Sequence, residues 1–234
     1  MTETITAPAT GVREALYSRR SIRAFTDAPV ADATLRELLT DAARAPSGGN
    51  LQPWSAYVLN GAATDAFRAR IREAMKKHPF GEPPEYPVYP EDLPDPFRSR
   101  RRDIGELLYG TLGIPREDKA ARLTQFARNF EFFGAPAAVF FAVERIMNVN
   151  QWAHLGMFQQ SFMLAARERG LHTCPQEAWA IWHREVAAFC DIPDSQMLHC
   201  GIAVGHADPE AAVNHMQSPR AGLDDFVHFV AQDS

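Results

Sequence analysis

Apolar residues in the first third of the chain recur at the spacing of amphipathic helices. After an arm that we expect to be loose (residues 1–11), a short helix is predicted over Val12–Ser18. The next helix begins at the N-cap Asp32, and its apolar face repeats every three or four residues through Leu35, Leu38, Leu39, Ala42 and Ala43. A third helix begins at the cap Thr64, with an apolar face made of Phe67, Ile71, Ala74 and Met75.

Residues 54–59 are predicted to form a strand, and short apolar runs predict two buried strands, over 136–143 and 197–205. Further helices are predicted over 123–133, over 183–190, and from the cap Asn150 to about Arg169, where Gly170 ends the helix. Helices thus interleave with strands, which indicates an α/β or α+β fold around one sheet. We expect residues 1–234, which contain no internal repeat, to form a single domain.

The region 78–122 departs from this pattern. Seven of the 17 prolines lie between Pro79 and Pro96, which excludes a regular helix or a central strand there. A basic run follows, Arg98 and Arg100 to Arg102, and then a predicted helix that contains Ile104, Leu107, Leu108 and Leu112. Long excursions of this kind are typical of lids and binding loops, so we predict one near the active site.

Composition narrows the function classes. The net charge of −5 gives no general attraction for nucleic acid or anionic membranes, and no apolar run approaches the ~20 residues of a membrane span. The polar N-terminus lacks the apolar core of a signal peptide, which favours a cytoplasmic protein. Three cysteines without metal or redox spacing, and the absence of an HExxH motif, argue against a metal site.

Two segments carry candidate chemistry. Residues 18–23 read SRRSIR, and their three guanidinium groups and two hydroxyls suit an anionic phosphate or an electron-rich heterocycle. Composition alone favours a solvated basic turn, because a short run of Arg and Ser is a common surface feature. Residues 46–54 read PSGGNLQPW, where two glycines allow a close approach to a ligand and polar side chains can donate and accept hydrogen bonds. An ordinary turn from helix to strand is the alternative here.

Taken together, RRSIRAF and APSGGNLQPW resemble the motifs of the flavin-dependent nitroreductase family. Three later segments resemble that family in the same order: GLHTCPQE at 170–177, GIAVG at 201–205, and Pro219-Arg220 before 223–227. The resemblance runs from about Leu16 to Phe229, nearly the whole chain. Its general character is similar to the branch that reduces nitrobenzoate and other nitroaromatic compounds.

The resemblance implies an α+β fold with a central sheet flanked by helices, in an intertwined homodimer with FMN at the interface. Arg19, Arg20 and Ser21 would hold the FMN phosphate and ribityl chain, and Arg220 would complete the phosphate site. Arg23 would lie at the N1–C2=O edge of the flavin ring, and Pro175, Gln176 and Glu177 would lie near N5. The residues that would reach the partner's flavin are Pro46, Ser47, Gly48 and Asn50.

The implied activity is reduction of a small nitroaromatic or quinone-like acceptor with NAD(P)H as co-substrate, in a ping-pong two-electron mechanism. No catalytic side chain and no metal are implied, because the flavin carries the chemistry. The same scaffold supports enoate reduction and reductive dehalogenation, and a flavin-binding redox sensor or carrier is the non-enzyme alternative.

For several residues near the expected pocket, the sequence allows more than one role. The family often has Gly where this chain has Ala178, followed by Trp179, so the pocket is expected to be narrower there. The basic run at Arg98 and Arg100 to Arg102 is interpreted as a solvated face, with a substrate carboxylate or the 2′-phosphate of NADPH as the alternative ligand. Pocket-lining candidates are Tyr86, Tyr89 and Tyr109, of which one at most is expected to stack on an aromatic substrate.

Overall fold

One antiparallel sheet of four strands organises the computed structural model, which describes residues 5–230. The strands are β1 (Ser55–Asn60), β2 (Ala137–Glu144), β3 (His172–Gln176) and β4 (Gln196–Gly205), in the spatial order β1-β2-β4-β3. The three predicted strands are confirmed to within one residue at each end. Strand β3 was not predicted, because a five-residue segment that contains His172 and Pro175 lacks a strand-like apolar run.

Among residues 5–230 there are seven α-helices: α1 (Val12–Ser18), α2 (Asp32–Ala42), α3 (Ala62–Lys77), α4 (Phe97–Thr111), α5 (Lys119–Ala127), α6 (Val149–Glu168) and α7 (His183–Cys190). The expected helices are confirmed, but three caps were wrong. Asp32 is the first residue of α2, and Ala31 is its N-cap. Asn148 caps α6 in a reciprocal capping box with Gln151, so Asn150 lies inside the helix. Thr64 lies inside α3 and is buried. Its hydroxyl donates to the carbonyl of Pro136 at 3.0 Å, which ties the helix to the residue that precedes β2.

The predicted helix over 123–133 was also wrong in its second half. Helix α5 ends at Ala127 and continues as a 3₁₀ segment, Arg128–Gly134. Phe132 and Phe133 there have φ values of 51° and 53°, which no α-helix accommodates. Both rings are buried in the core, so tertiary packing overrides the local helical pattern.

Alternation along β2 divides the core between the two faces of the sheet. Val139, Phe141 and Val143 point to the face covered by α2 and α6. Phe140 and its even-numbered neighbours point to the other face, where they pack with α3 and with Trp179 and Trp182. Helices therefore cover both sides of a sheet whose central strand β2 is buried at every residue except the last, which confirms the α+β class.

The described part of the N-terminal arm is not loose. Ala9 is buried, and its N–H donates to the carbonyl of Arg167 at 2.9 Å. The Arg167 guanidinium in turn donates to the carbonyl of Ala7 at 2.6 Å and to Ser18 Oγ at 3.2 Å. Residues 1–4, the rest of the predicted arm, lie outside the described residues.

The excursion 78–122 is fastened to the body of the protein at its start. The N–H of Glu82 donates to the carbonyl of Ile181 at 2.7 Å, and the Tyr86 hydroxyl donates to the carbonyl of His199 at 2.5 Å. Helix α4, by contrast, contains no buried residue, so the core does not fix its position. Within residues 5–230 no helix is long and apolar enough to cross a membrane.

Candidate functional site

The basic segment 19–23 runs beside strand β3. Ser21 forms a parallel bridge with Thr173, and the N–H of Ile22 donates to the carbonyl of Thr173 at 3.1 Å. Ile22 is fully buried, whereas its neighbours Ser21 and Arg23 are partly exposed. The pairing thus anchors the segment through Ile22 and leaves the polar side chains at the sheet edge.

A buried asparagine holds the other side of this segment. Asn214 Oδ1 accepts from the backbone N–H groups of Arg23 at 2.9 Å and Ala24 at 3.2 Å, and its Nδ2 donates to the carbonyls of Ala24 and Asp208. These bonds satisfy the side chain, which is 1% exposed. Sequence reasoning missed Asn214, because a single Asn in a polar stretch gives no local signal of its partner 190 residues away.

Guanidinium groups gather around this edge. Burial lowers the pKa of Arg19, and the nearby charge of Arg220 lowers it further. The buried Cys174 lies near these positive charges. Burial raises the pKa of its thiol, Arg23 and Arg19 act to lower that pKa, and the balance is a pKa of about 11. Arg20 points its guanidinium towards the carbonyl of His215, at 3.5 Å. The structure therefore brings the four predicted arginines to one region of the molecule.

These arginines lack the partners that would neutralise them. Within residues 5–230, no carboxylate lies within 4.0 Å of the guanidinium nitrogens of Arg19, Arg20, Arg23 or Arg220. Arg23 and Arg220 donate only to backbone carbonyls of nearby residues. Arg19, Arg20 and Arg23 are partly buried and Arg220 is exposed. Cations without counter-ions favour the binding of an anion, so the residues present fit a phosphate-bearing cofactor.

The polar loop 46–52 has the open shape that its sequence predicts. Gly49, Asn50 and Gln52 adopt positive φ values of 58°, 54° and 48°, and the Gln52 N–H donates to Ser47 Oγ at 3.0 Å. Gly48 lies against α6, where a Cβ would come within 3.2 Å of the His154 ring. Pro46, Gly48 and Asn50 are exposed. No hydrogen bond joins this loop to residues 19–23 in the described chain.

The segment 175–177 presents alternate residues to the solvent. Pro175 and Glu177 are exposed at the end of β3, while Gln176 is buried. The Gln176 amide donates to the Asn129 carbonyl at 2.7 Å, and its Oε1 accepts from Trp179 Nε1 at 3.4 Å. The Gln176 side chain is thus committed to the core, and only its backbone remains for a ligand.

Trp179 does not narrow the site. Its ring is fully buried and packs against Phe132 at 4.8 Å and Phe140 at 5.2 Å between centroids. The ring also lies so close to Gly201 that a Cβ there would come within 2.6 Å of Trp179 Cδ1. The Trp179 side chain therefore fills the core beside β4, and the narrower pocket expected from Ala178 stays a prediction.

Two of the three candidate tyrosines lie beside Glu177. Burial raises the pKa of Tyr86 above its usual range, and Cys200 and Glu177 contribute in the same direction. Burial also raises the pKa of Tyr89, again with a contribution from Glu177, while Arg101 lowers it. Tyr109 instead lies under the Arg122 guanidinium, 4.2 Å from its ring centroid, and packs within the excursion.

Known proteins resemble this chain over nearly its full length. The model of the nitroreductase family matches residues 16–206. A 4-nitrobenzoate reductase of Pseudomonas putida is 38% identical over 216 residues, which cover 92% of this chain and 94% of the relative. A nitrobenzene nitroreductase of Ectopseudomonas oleovorans is 36% identical over 219 residues, which cover 94% and 96%.

A solved structure of a related enzyme has nearly the same fold as this chain. The FMN- and NADPH-dependent nitroreductase NfnB of Sphigopyxis sp. strain HMH is 47% identical and superposes with a TM-score of 0.91. The match covers 95% of this chain and 100% of that one. The family resemblance noted in the motifs is thus confirmed, and the chain belongs to the nitroreductase family.

Proposed function

We propose that this protein is an FMN-dependent enzyme that reduces nitroaromatic compounds with NAD(P)H. The observation that carries the proposal is the group of arginines without carboxylate partners beside β3, in a chain whose relatives are nitroaromatic reductases. A relative of nearly the same fold is FMN- and NADPH-dependent. When bound, FMN would supply two-electron transfer from NAD(P)H to the nitro group.

Each residue has a distinct role in this proposal. Arg19, Arg20 and Arg220 bind the phosphate end, because guanidinium groups form strong charge-assisted bonds with phosphate oxygens. Ser21 donates to the chain between phosphate and ring, and Arg23 places a positive charge beside the ring. The backbone of Pro175, Gln176 and Glu177 lines the ring edge, consistent with the commitment of the Gln176 side chain to Asn129.

We infer that a homodimer completes the site. The loop with Pro46, Ser47, Gly48 and Asn50 makes no hydrogen bond to residues 19–23 of its own chain, so a partner subunit is the natural source of that contact. Large apolar side chains are exposed on several elements and would be covered by the partner: Val12, Leu16, Tyr17, Val149, Phe226 and Phe229. Exposed apolar surface on this scale is typical of an obligate interface.

The remaining inferences follow from this activity. We infer that residues 1–234 act as one domain, with 78–122 as a lid over the site. A reducing, cytoplasmic location is supported by three cysteines that form no disulfide. Quinone-like acceptors are a second substrate class for the same open site. Enoate reduction, reductive dehalogenation and a role as a redox sensor without turnover are the competing functions.

Steady-state turnover separates these functions. The purified protein, supplied with FMN, is mixed with NADPH or NADH and with one acceptor from each class: 4-nitrobenzoate, a benzoquinone, an enoate and a halophenol. We expect rapid oxidation of NAD(P)H with the nitro compound and substantial oxidation with the quinone. Turnover with the enoate or halophenol alone would replace the proposed activity, and turnover with none would favour the sensor.

A further inference from the structure

Arg101, an exposed arginine on α4, is the member of the basic run that lies closest over an aromatic ring; Arg100 also has no carboxylate within 4.0 Å among residues 5–230, but its Cζ is 6.0 Å from the centroid of Phe97. Arg98 pairs with Asp95 at 3.4 Å, and Arg102 pairs with Asp103 at 2.8 Å. Arg101 instead lies over the ring of Tyr89, with its Cζ 4.1 Å from the ring centroid. No carboxylate within residues 5–230 lies within 4.0 Å of the Arg101 nitrogens.

The stacking leaves Arg101 able to bind an anion. An aromatic ring covers a face of the planar guanidinium, whereas its N–H donors point outward in the plane. Arg101 and Arg98 line the same cavity of about 360 Å³, with Glu91, Asp92, Leu93 and Pro94. Glu91 and Asp92 form no ion pair with Arg101, so an anion that binds Arg101 displaces no carboxylate partner, whereas Arg98 would be shared with Asp95.

Two contacts place this cavity at the edge of the proposed active site. Tyr89, whose ring lies under Arg101, is also close to Glu177, which follows directly on β3. Helix α4 contacts the segment Ala212–His215, in which Asn214 holds the backbone of Arg23. The helix thus spans two sides of the region where substrates would approach.

We propose that Arg101, held by Tyr89 and assisted by Arg98, binds an anionic group of the substrate at the rim of the site. This inference rests on the proposed function for the identity of the molecules. Two molecules of that reaction carry such a group: the 2′-phosphate distinguishes NADPH from NADH, and a carboxylate distinguishes nitrobenzoate from nitrobenzene. Arg101 is therefore a specificity-determining residue rather than a catalytic one.

Binding of simple probes to the purified holoenzyme tests the assignment by isothermal titration calorimetry. The phosphate pair is adenosine 2′,5′-bisphosphate against adenosine 5′-monophosphate, and the carboxylate pair is benzoate against benzamide. In each pair, the anionic probe is the member with the additional anionic group, the bisphosphate or benzoate. We expect Arg101→Gln to weaken the anionic probe of one pair by about tenfold or more, with little effect on the other member of that pair. Loss with the bisphosphate identifies NADPH as the source, and loss with benzoate identifies the acceptor.

Matched variants keep the test decisive. Arg102→Gln removes a charge of the same sign that is one residue away but paired with Asp103, and it is expected to leave all four affinities unchanged. Glu91→Gln removes a negative charge from the cavity and is expected to strengthen the anionic probe. The proposal is overturned if Arg101→Gln changes neither anionic probe, or if Arg102→Gln has the same effect.

Failure of the wider function has a different signature. If the purified protein is colourless and cannot bind FMN, the proposed flavin enzyme is refuted. A difference in affinity between the two members of a probe pair would still report on Arg101. Conversely, an active flavin enzyme with no discrimination would refute only the anion site. Lost discrimination in Arg101→Gln with unchanged turnover of NADH and nitrobenzene would support both proposals together.

Discussion

The side chain of Asn214 holds the backbone of Arg23, with Oδ1 accepting from the Arg23 N–H at 2.9 Å. This bond crosses 191 residues of sequence and joins the turn after β4 to the first basic motif. It sets the position at which the Arg23 side chain leaves the backbone. The candidate site is therefore built on a buried polar contact as well as on the exposed arginines.

Replacing this asparagine is expected to affect stability and cofactor binding together. Asn214→Ala leaves buried backbone groups of Arg23 and Ala24 unpaired, which costs about 2–3 kcal/mol in the free energy of unfolding. FMN affinity falls as well, because the basic segment loses its anchor. Asn148→Ala is the control, since it removes the cap of α6 at a cost of about 1 kcal/mol. Urea unfolding and FMN titration measure both effects, and unchanged FMN affinity in a folded Asn214→Ala protein would contradict the role given to Asn214.

Because Arg19 and Arg220 lie close together, replacing Arg220 is expected to leave the stability of the apoprotein intact but to weaken FMN binding. Without an anion the two guanidinium groups repel each other, so Arg220→Gln is expected to leave the apoprotein as stable as, or more stable than, the wild type. With FMN, the same substitution removes a charged bond to phosphate and weakens binding about tenfold to a hundredfold. Arg36→Gln, on the exposed side of α2, serves as the control. Equal FMN affinity in the Arg220→Gln and wild-type proteins would exclude Arg220 from the phosphate site.

Packing around Gly201 predicts a sharp size limit. Gly201→Ala places a methyl group 2.6 Å from Trp179 Cδ1 and 2.9 Å from Phe140 Cε1, so the core must shift. We expect a loss of about 1–3 kcal/mol in the free energy of unfolding. Gly105→Ala on α4, where no atom lies within 4 Å of the new Cβ, is expected to gain about 0.5–1 kcal/mol. A Gly201→Ala protein as stable as the wild type in denaturant titrations would show that Trp179 is not fixed as described.

Stability is expected to fall in mild acid because of His172. Burial and the adjacent Arg167 lower the pKa of this imidazole from 6.5 to about 4. Between these two values the unfolded chain binds a proton that the folded protein refuses, so the free energy of unfolding decreases as the pH drops from 6.5 towards 4. The full effect is about 3 kcal/mol. His172→Gln should show a shallower decline in urea titrations across this range, whereas parallel curves would assign the acid sensitivity to other groups.

The local pattern of apolar residues predicted helices and strands correctly where the packing of a segment agrees with its intrinsic helix or strand propensity. The apolar runs of β2 and β4 and the periodic faces of α2 and α3 could be located from the sequence. Strand β3 could not, because its strand conformation depends on pairing with β4 and not on its own residues. The helical pattern at Phe132 and Phe133 failed for a related reason, since burial of both rings outweighs helix geometry.

The sequence motifs predicted which residues belong to the candidate site, but not the long-range contacts that hold them in place. The clustering of Arg19, Arg23 and Arg220 agrees with the motif-based expectation, while the commitment of the Gln176 amide to Asn129 depends on a contact between segments 47 residues apart. No local pattern encodes such contacts. The assigned roles of the cofactor-binding residues stay predictions until they are tested by substitution.

An absorbance spectrum of the purified protein, recorded without oxygen, tests the central claim most directly. The account predicts a flavin spectrum that bleaches on addition of NADPH and returns on addition of 4-nitrobenzoate, because one bound FMN must serve both half-reactions. Bleaching without recovery would keep the flavin and the donor but contradict nitroaromatic reduction. A colourless protein that cannot be reconstituted with FMN would contradict the account as a whole.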